Sequence, residues 1–221
     1  MGKNKHLRFA ENRTFAHVFQ PAYHQLINEG FPLKGAWHTF FDNKQPVTLE
    51  LGCGKAEYTI GLALMYPQRN FIGMDVKGAR FWKGARYAQD HQMQNVAFIR
   101  SRIDQINHFF CTEDTINEIW ITFPDPQPRE SKEKKRLTSP EFLHRYRQFA
   151  MPNTTIHLKT DSISLYNYTL EVIKDHHLHI ITASQNIDLD FPHHPELSIQ
   201  TFYESIWRKQ GKPIHYISFK L

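Results

Sequence analysis

The stretch PVTLELGCGKAEYTIGLALM, residues 46–65, decides the class of fold. Residues 46–51 are predicted to form a strand, and residues 56–65 a helix that follows almost at once. Between them, Gly52 and Gly54 let the backbone turn sharply and approach a ligand closely. The pattern therefore predicts a strand, a glycine loop and a helix whose first turn presents free N–H groups and a positive dipole end.

Strands and helices continue to alternate towards the C-terminus. We predict strands at 70–74, 96–100, 118–122, 154–159, 178–183 and 214–219. We predict helices at 77–92, 139–150, 162–175 and 201–210. Alternation with short connections is typical of an α/β domain with a mostly parallel sheet covered by helices on both faces.

The sequence before residue 45 has a different character. It has no glycine-rich motif. Residues 15–27 are predicted to form a helix that is ended by Gly30 and Pro32. Several cations give this segment a basic face: Lys3, Lys5, Arg8 and Arg13. We therefore expect a basic N-terminal extension with a helix at 1–44 and one domain at 45–221. The extension is predicted either to be merely solvated or to contact nucleic acid.

Composition narrows the class of protein. The chain has 221 residues, 40% of them hydrophobic, and a net charge of +5, which favours an acidic partner such as nucleic acid. Its two cysteines form neither a disulfide framework nor a zinc motif, so we expect a cytoplasmic protein. No stretch is apolar enough for a signal peptide or a membrane span, and the histidine clusters lack metal-binding spacing. We expect no metal, no membrane contact, and a monomer or homodimer.

The residues around the glycine loop indicate which cofactor it binds. A dinucleotide fingerprint needs a third glycine where this chain has Glu57, so a dehydrogenase is excluded. Asp75 ends the second predicted strand and can accept hydrogen bonds from ribose hydroxyls. Glu50, at the end of a buried strand, needs a cationic or donor-rich partner, and the α-amino group of a small cofactor would satisfy it. These residues suit a cofactor that has a ribose and an amino group but no pyrophosphate. S-adenosylmethionine is such a cofactor.

A second motif follows another predicted strand, in IWITFPDPQPRESKEKKR at residues 119–136. Pro124 and Pro126 end the strand and hold Asp125 stiffly just past its carboxyl end, where ligands bind in open α/β sheets. A basic run follows, which can contact RNA phosphates: Arg129, Lys132, Lys134, Lys135 and Arg136. Because Glu130 and Glu133 interrupt this run, a solvated charged loop is the alternative.

Four motifs together resemble the bacterial tRNA (guanine-N7-)-methyltransferases over nearly the whole chain. They are LELGCGKA at 49–56, FPDPQPR at 123–129 with the tail KEKKRL, KTD at 159–161 and TFYE at 201–204. The resemblance implies a class I methyltransferase fold, which is Rossmann-like, with a mostly parallel seven-stranded sheet and an antiparallel C-terminal strand. It implies S-adenosylmethionine as cofactor, tRNA as partner, and methylation at N7 of guanosine 46 in the variable loop.

The resemblance also implies roles for individual residues. Asp125 is the expected catalytic residue. The expected cofactor-binding residues are Glu50, Gly52, Gly54, Asp75, Arg102 and Asp125, and the expected substrate-binding residues are Arg129, Asp161, Thr201, Phe202, Tyr203 and Glu204. Four positions depart from the family pattern: Ala56 replaces a glycine, Arg102 an acid, Gln127 a tryptophan and Arg129 a lysine. Asp104 or a backbone N–H is then the expected contact on the adenine side.

The chemistry of guanine N7 limits what these residues must do. N7 carries a free lone pair, so the reaction needs alignment rather than a catalytic base. We therefore expect Asp125 to orient the base and to stabilise its developing positive charge. The alternatives are an RNA methyltransferase with another target nucleoside and an RNA-binding protein that has lost catalysis. An exocyclic-amine methyltransferase is disfavoured by Pro126 and Gln127, which break its motif.

Overall fold

One mixed sheet organises the molecule. The computed structural model describes residues 3–221, without the side chain of Lys3, so the predictions for Met1, Gly2 and the Lys3 cation lie outside the described part. The described chain forms eight strands: β1 (Val18–Phe19), β2 (Val47–Leu51), β3 (Asn70–Met74), β4 (Val96–Ile99), β5 (Ile116–Thr122), β6 (Ala150–Thr160), β7 (Ile180–Ser184) and β8 (His215–Lys220).

Helices connect these strands. The α-helices of residues 3–221 are α1 (Lys3–Asn12), α2 (Tyr23–Asn28), α3 (Trp37–Phe41), α4 (Glu57–Met65), α5 (Gly78–Asp90), α6 (Pro140–Arg147), α7 (Ile163–Asp175), α8 (Ile187–Asp190) and α9 (Phe202–Lys209). Every strand and helix predicted after residue 45 is present, with ends that differ by a few residues. The predicted alternation of strands and helices is therefore confirmed.

The strand order places a crevice in the middle of the sheet. The order is β1-β4-β3-β2-β5-β6-β8-β7, and all neighbours are parallel except β8, which is antiparallel to both β6 and β7. The predicted mostly parallel sheet with an antiparallel C-terminal strand is confirmed, and the two-residue β1 adds an eighth strand at one edge. The chain winds outward in opposite directions from β2 and β5, so their carboxyl ends form the switch point where ligands bind in such sheets.

The two faces of the sheet bury separate apolar clusters. Side chains alternate along a strand, so Ile119 and Ile121 of β5 point to one face and Trp120 points to the other. The first face is covered by α6, α7 and residues near α3, and the second by α4 and α5. Burial on both faces explains why β4 and residues 119–121 of β5 are continuous apolar runs, whereas β2 alternates apolar residues with the buried Thr48 and Glu50.

The N-terminal segment packs against this domain. Trp37 is fully buried and donates its indole N–H to the carbonyl oxygen of Phe109 at 3.1 Å. The single helix predicted at 15–27 is wrong, since β1 occupies 18–19 and α2 starts only at Tyr23. Pro21 explains the difference, because it cannot supply the N–H group that a continuous helix needs there. A domain boundary near residue 44 stays a prediction.

The described part of the chain, residues 3–221, lacks two features. Within that range, no helix is long and apolar enough to cross a membrane, and no three His, Cys, Asp or Glu side chains are grouped to hold a metal ion. Cys53 and Cys111 are both free thiols.

Candidate functional site

The glycine loop follows β2 and contacts the end of β3. Gly52 and Gly54 have φ angles of +77° and +57°, a region that side chains with a Cβ rarely adopt. The backbone N–H of Gly54 donates to Asp75 Oδ2 at 3.0 Å, and Asp75 Oδ1 accepts the N–H of Lys77 at 2.8 Å. The structure therefore brings three of the predicted cofactor residues together at adjacent strand ends.

Ala56 closes the loop in a strained conformation. It has a φ of +64°, the left-handed region that the glycine expected from the family pattern would adopt at little cost. The Ala56 methyl group lies against α5, where a Cβ added to Gly84 would come within 2.5 Å of it. Ala56 and Gly84 are therefore a complementary pair, one side chain filling the space that the other leaves.

This pairing predicts a reversal of sign in a mutant cycle. Gly→Ala inside a helix usually stabilises by about 0.5–1 kcal/mol, but Gly84→Ala is expected to destabilise by about 1–3 kcal/mol because its methyl group collides with that of Ala56. In the Ala56→Gly background, the nearest remaining contacts of that methyl group are Lys55 O at 3.3 Å and Ile60 Cγ1 at 3.4 Å. The free energy of unfolding is measured in urea for the wild type, Ala56→Gly, Gly84→Ala and the double variant. Gly84→Ala is expected to lower it only when residue 56 is alanine. Equal losses in both backgrounds would disprove the pairing.

Glu50 links the glycine loop to the neighbouring strand. Its side chain is buried, with 3% exposure, and it accepts the Thr59 N–H at 2.8 Å, the Thr59 hydroxyl, and the Thr122 hydroxyl at 2.8 Å. The donor-rich partner expected from sequence is thus supplied by the protein itself. Burial raises the pKa of Glu50 to about 7, although these three hydrogen bonds oppose the shift.

The raised pKa of Glu50 predicts how its removal changes stability with pH. The folded protein holds this proton between about pH 4.5 and 7 while the unfolded chain releases it, so the free energy of unfolding falls as pH rises through that window. Glu50→Gln is therefore expected to be more stable than the wild type at pH 8, by about 1–3 kcal/mol, with little difference at pH 5. Urea midpoints at both pH values test this. A gain of equal size at pH 5 would contradict it.

A cavity of about 410 Å³ opens at the carboxyl ends of β3 and β4. Its walls include Asp75, Val76, Ser101, Arg102, Ile103 and Phe142. The exposed Arg102 pairs with Asp104 through two contacts, Nε to Oδ1 at 3.1 Å and Nη2 to Oδ2 at 2.5 Å. The cavity thus combines a carboxylate, apolar walls and an ion pair at its mouth.

The Pro-Asp-Pro segment leaves β5 with a strained backbone. Phe123 and Gln127 have φ angles of +48° and +45°. The exposed Asp125 accepts the N–H of Gln127 through Oδ1 at 3.1 Å, and Arg136 Nε donates to the Gln127 carbonyl oxygen at 3.2 Å. Asp125 lies outside the walls of the cavity, and its second carboxylate oxygen has no partner among the described residues.

Most of the basic run forms a short 3₁₀ helix, Glu130–Lys135. The exposed Arg129 directly precedes this helix. Lys134 and Lys135 lie at the wall of the cavity, and Lys134 Nζ is 3.5 Å from Glu141. The run therefore lies beside the cavity, and Arg129 lies outside its walls.

The KTD motif at the end of β6 holds a buried cation. Lys159 has no exposed surface, and its Nζ donates to the carbonyl oxygens of Leu197 at 2.8 Å and Ile199 at 3.1 Å and to Glu204 Oε2 at 2.8 Å. Burial lowers the pKa of Lys159 to about 8, and Glu204 opposes the shift. Asp161 instead contacts Lys212 at 3.7 Å and lines a separate cavity.

The TFYE motif begins α9 as a capping box. Thr201 Oγ1 accepts the N–H of Glu204 at 3.1 Å, and Glu204 Oε2 accepts the N–H of Thr201 at 3.4 Å. The Glu204 carboxylate is fully buried against Lys159 and Arg208. Phe202 and Tyr203 are exposed, so these two rings rather than Glu204 face outwards.

Sequence reasoning missed three residues that organise the site. Lys159 was named as part of a motif but given no role, and Thr59 and Thr122 were not singled out. A lysine within a predicted buried strand is a detectable signal, because a buried ammonium group needs a carboxylate partner. The two threonines have no such signal, since threonine is common in strands and helices and their contacts with Glu50 are between different elements.

Comparison with known proteins places the chain in a family. A family model described as "Putative methyltransferase" matches residues 44–217. A tRNA (guanine-N(7)-)-methyltransferase of Christiangramia forsetii is 47% identical, with 99% of this chain and 98% of that protein covered. One of Bacteroides fragilis is 45% identical, with 100% and 87% covered.

Solved structures share the fold at low identity. The 16S rRNA methyltransferase KamB superposes with a TM-score of 0.64 at 10% identity, over 84% of this chain and 92% of that one. A variant of the 16S rRNA (adenine(1408)-N(1))-methyltransferase from Catenulisporales acidiphilia, solved with SAM, gives 0.55 at 13% identity, over 83% and 89%. These likenesses support the class I methyltransferase fold. With full-length identity above 40% to the curated relatives, this chain belongs to the tRNA (guanine-N(7)-)-methyltransferase family.

Proposed function

We propose that the protein transfers a methyl group from S-adenosylmethionine to N7 of guanosine 46 in the variable loop of tRNA. The observation that carries the proposal is the placement of the glycine loop and the Pro-Asp-Pro segment. They follow β2 and β5, the adjacent strands at which the sheet changes winding direction, and the bond between Glu50 and Thr122 ties their ends together. The names of the relatives supply the target atom and the RNA.

The residues present fit S-adenosylmethionine. Asp75 offers a carboxylate for ribose hydroxyls, and Val76, Ile103 and Phe142 offer apolar walls for a planar base. Gly52 and Gly54 would let the loop backbone approach the ligand closely. When bound, the cofactor supplies an electrophilic methyl group on a sulfonium. The adenine of the cofactor is proposed to be contacted at the mouth of the cavity, where Arg102 and Asp104 are paired.

The proposed work of the protein side chains is orientation and charge stabilisation. Guanine N7 attacks through its lone pair, and the base becomes cationic without losing a proton first. Asp125 accepts the N–H of Gln127 through Oδ1, and its other carboxylate oxygen has no partner within residues 3–221. It would orient the guanine and stabilise that charge. The base in a folded tRNA has to swing out to reach such a site. Phe202 and Tyr203 are proposed to pack on it, and Glu204 to position that helix start.

Methyl transfer from labelled S-adenosylmethionine tests the proposal. The substrates are a tRNA transcript with guanosine at position 46 and the same transcript with adenosine there. Incorporation only into the first, recovered as 7-methylguanosine, is expected. Equal incorporation would move the target to another nucleoside. Binding of the cofactor and of tRNA without incorporation would favour a non-catalytic RNA-binding protein.

The basic run is proposed to contact tRNA phosphates. Replacing Lys134 and Lys135 together by alanine is expected to raise the KM for tRNA. It is also expected to reduce the slope of log(kcat/KM) against log[salt] by about 1–2, because fewer counterions are released on binding when phosphate contacts are lost. Calorimetric binding of the cofactor checks that the cavity beside these lysines is intact. An unchanged salt slope would mean that the run is a solvated loop.

A further inference from the structure

A second group of cations lies where α1, the glycine loop and α5 meet. It consists of Arg8, Lys55, Arg80 and Lys83, and is called the α1–α5 surface below. Partial burial lowers the pKa of Lys55, and the charges of Lys83, Arg80 and Arg8 lower it further. The charge of Glu57 opposes this shift. The other three cations are therefore close enough to Lys55 for their charges to act on it, and an anion bound among them would relieve that repulsion.

The cations of this surface form no ion pair with a described acidic side chain, although the charge of Glu57 acts on Lys55. Within residues 3–221, none of its four cations lies within 4.0 Å of an acidic side chain, whereas Arg86 on the same helix pairs with both Glu11 and Asp90. Cations that form no ion pair in the protein remain available to an external anion.

Aromatic rings lie among these cations. Lys55 Nζ is 3.1 Å from the centroid of Phe202, and the Arg80 guanidinium is 5.6 Å from that of Tyr203. The Arg8 guanidinium lies 4.7 Å from the ring of Trp82. Phe202 and Tyr203 are exposed, and Trp82 is half-buried. Interleaved cations and exposed rings match the two parts of an RNA strand, since cations bind phosphates and rings stack on bases.

Helix α1 is held firmly in place on α5. The buried Asn12 donates from Nδ2 to the Gly78 carbonyl oxygen at 2.9 Å, and Trp82 Nε1 donates to Glu11 at 2.7 Å. Arg8 is therefore presented by a docked helix and not by a loose arm, so little conformational entropy would be lost when it binds a phosphate.

We propose that the α1–α5 surface binds the sugar–phosphate backbone of the substrate RNA, as a second contact besides the basic run at 129–136. The inference rests on the proposed function and adds the surface over which the RNA passes. Continuity with the site favours RNA over an anionic membrane, because Lys55 belongs to the glycine loop and its partner Phe202 to the TFYE motif. Arg8 and Lys83 lie further along the helices and extend the contact away from the reacting base.

The test removes only the two cations outside the loop and the TFYE contacts. Arg8→Gln combined with Lys83→Ala is compared with Lys44→Ala combined with Lys174→Ala, which removes two exposed cations elsewhere. Steady-state methylation of tRNA is measured over a range of salt concentrations. The first pair is expected to reduce the salt slope of kcat/KM by about 1–2 and to raise the KM for tRNA about tenfold near physiological salt, with kcat within about twofold. The control pair is expected to leave the slope unchanged.

Several outcomes would overturn the inference. One is an unchanged salt slope in Arg8→Gln/Lys83→Ala. Another is an equal change in the control pair, which would mean that net charge matters and not this surface. A third is a slope change confined to binding of phosphatidylglycerol vesicles, which would assign the surface to a membrane. The single variant Lys83→Glu, at an exposed position, guards against misfolding. Its unfolding midpoint is expected to be no lower than that of the wild type, because the substitution removes a repulsive charge near Lys55.

Failure of the proposed function can be told apart from failure of this inference. If the wild type binds tRNA without methylating it, the proposed function fails. The same variants are then compared by filter binding of tRNA, where a reduced salt slope still supports the surface and an unchanged slope rejects it.

Discussion

Replacing Asp125 by asparagine is expected to lower kcat for tRNA methylation by about 10²–10³-fold while changing the Kd for S-adenosylmethionine by less than about threefold. The structure makes asparagine the informative substitution. Asp125 Oδ1 accepts the N–H of Gln127, and an asparagine oxygen can accept the same bond, so the turn is kept and only the charge is removed. The loss would therefore report on stabilisation of the cationic base rather than on the shape of the segment.

Single-turnover methylation and calorimetry separate these two effects. The matched control is Asp175→Asn, which removes one exposed carboxylate from the last residue of α7 and is expected to be neutral. Asp125→Asn with near-normal turnover would reject the catalytic assignment of the Pro-Asp-Pro segment. Normal turnover combined with weak cofactor binding would assign Asp125 to the cofactor alone.

Replacing Lys159 by methionine is expected to lower the free energy of unfolding by about 3–5 kcal/mol. Methionine has nearly the length of lysine, so the main loss is the charge. Without it, the buried Glu204 keeps Arg208, which is partly exposed, as its one cationic partner among the described side chains. The carbonyl groups of Leu197 and Ile199 lose their shared donor. Removing one partner of a buried pair costs more than removing both, because the remaining charge stays desolvated.

A second variant isolates that cause. Lys159→Met/Glu204→Gln is expected to recover part of the lost stability, since glutamine is neutral and can still complete the capping box with Thr201. Urea unfolding provides the comparison, with Lys174→Met as the control at an exposed position, where an effect within about 0.5 kcal/mol is expected. A wild-type midpoint for Lys159→Met would show that the buried pair contributes nothing.

The same network holds the start of the TFYE motif in place. The Lys159 contacts with Leu197, Ile199 and Glu204 hold the chain that leads into Phe202 and Tyr203. The resemblance assigned Glu204 to the substrate directly, and that role stays a prediction. The buried geometry indicates a different use of the carboxylate, namely to start α9 at a defined position so that the two rings face outwards.

Local patterns were sufficient to predict most of the fold. The strand at 70–74 was predicted with its observed ends, and the glycine loop was placed correctly, because burial on both faces produces short apolar runs and tight turns require glycine. The prediction of one helix over 15–27 failed because Pro21 interrupts the helical pattern and β1 gains its hydrogen bonds from β4, which is distant in sequence.

The candidate site likewise contains residues that the sequence could place and contacts that only the tertiary structure shows. The sequence was sufficient to place Asp75 and Asp125 at one edge of the sheet, since Asp75 directly follows β3, Asp125 lies three residues past β5, and the ends of parallel strands meet there. Their roles stay predictions. The bond between Glu50 and Thr122, the buried pair of Lys159 with Glu204, and the assembly of Arg8, Lys55, Arg80 and Lys83 required the tertiary structure. Each joins elements far apart along the chain, and contacts of that kind leave no spacing or periodicity in the sequence because they arise only when the sheet brings those elements together.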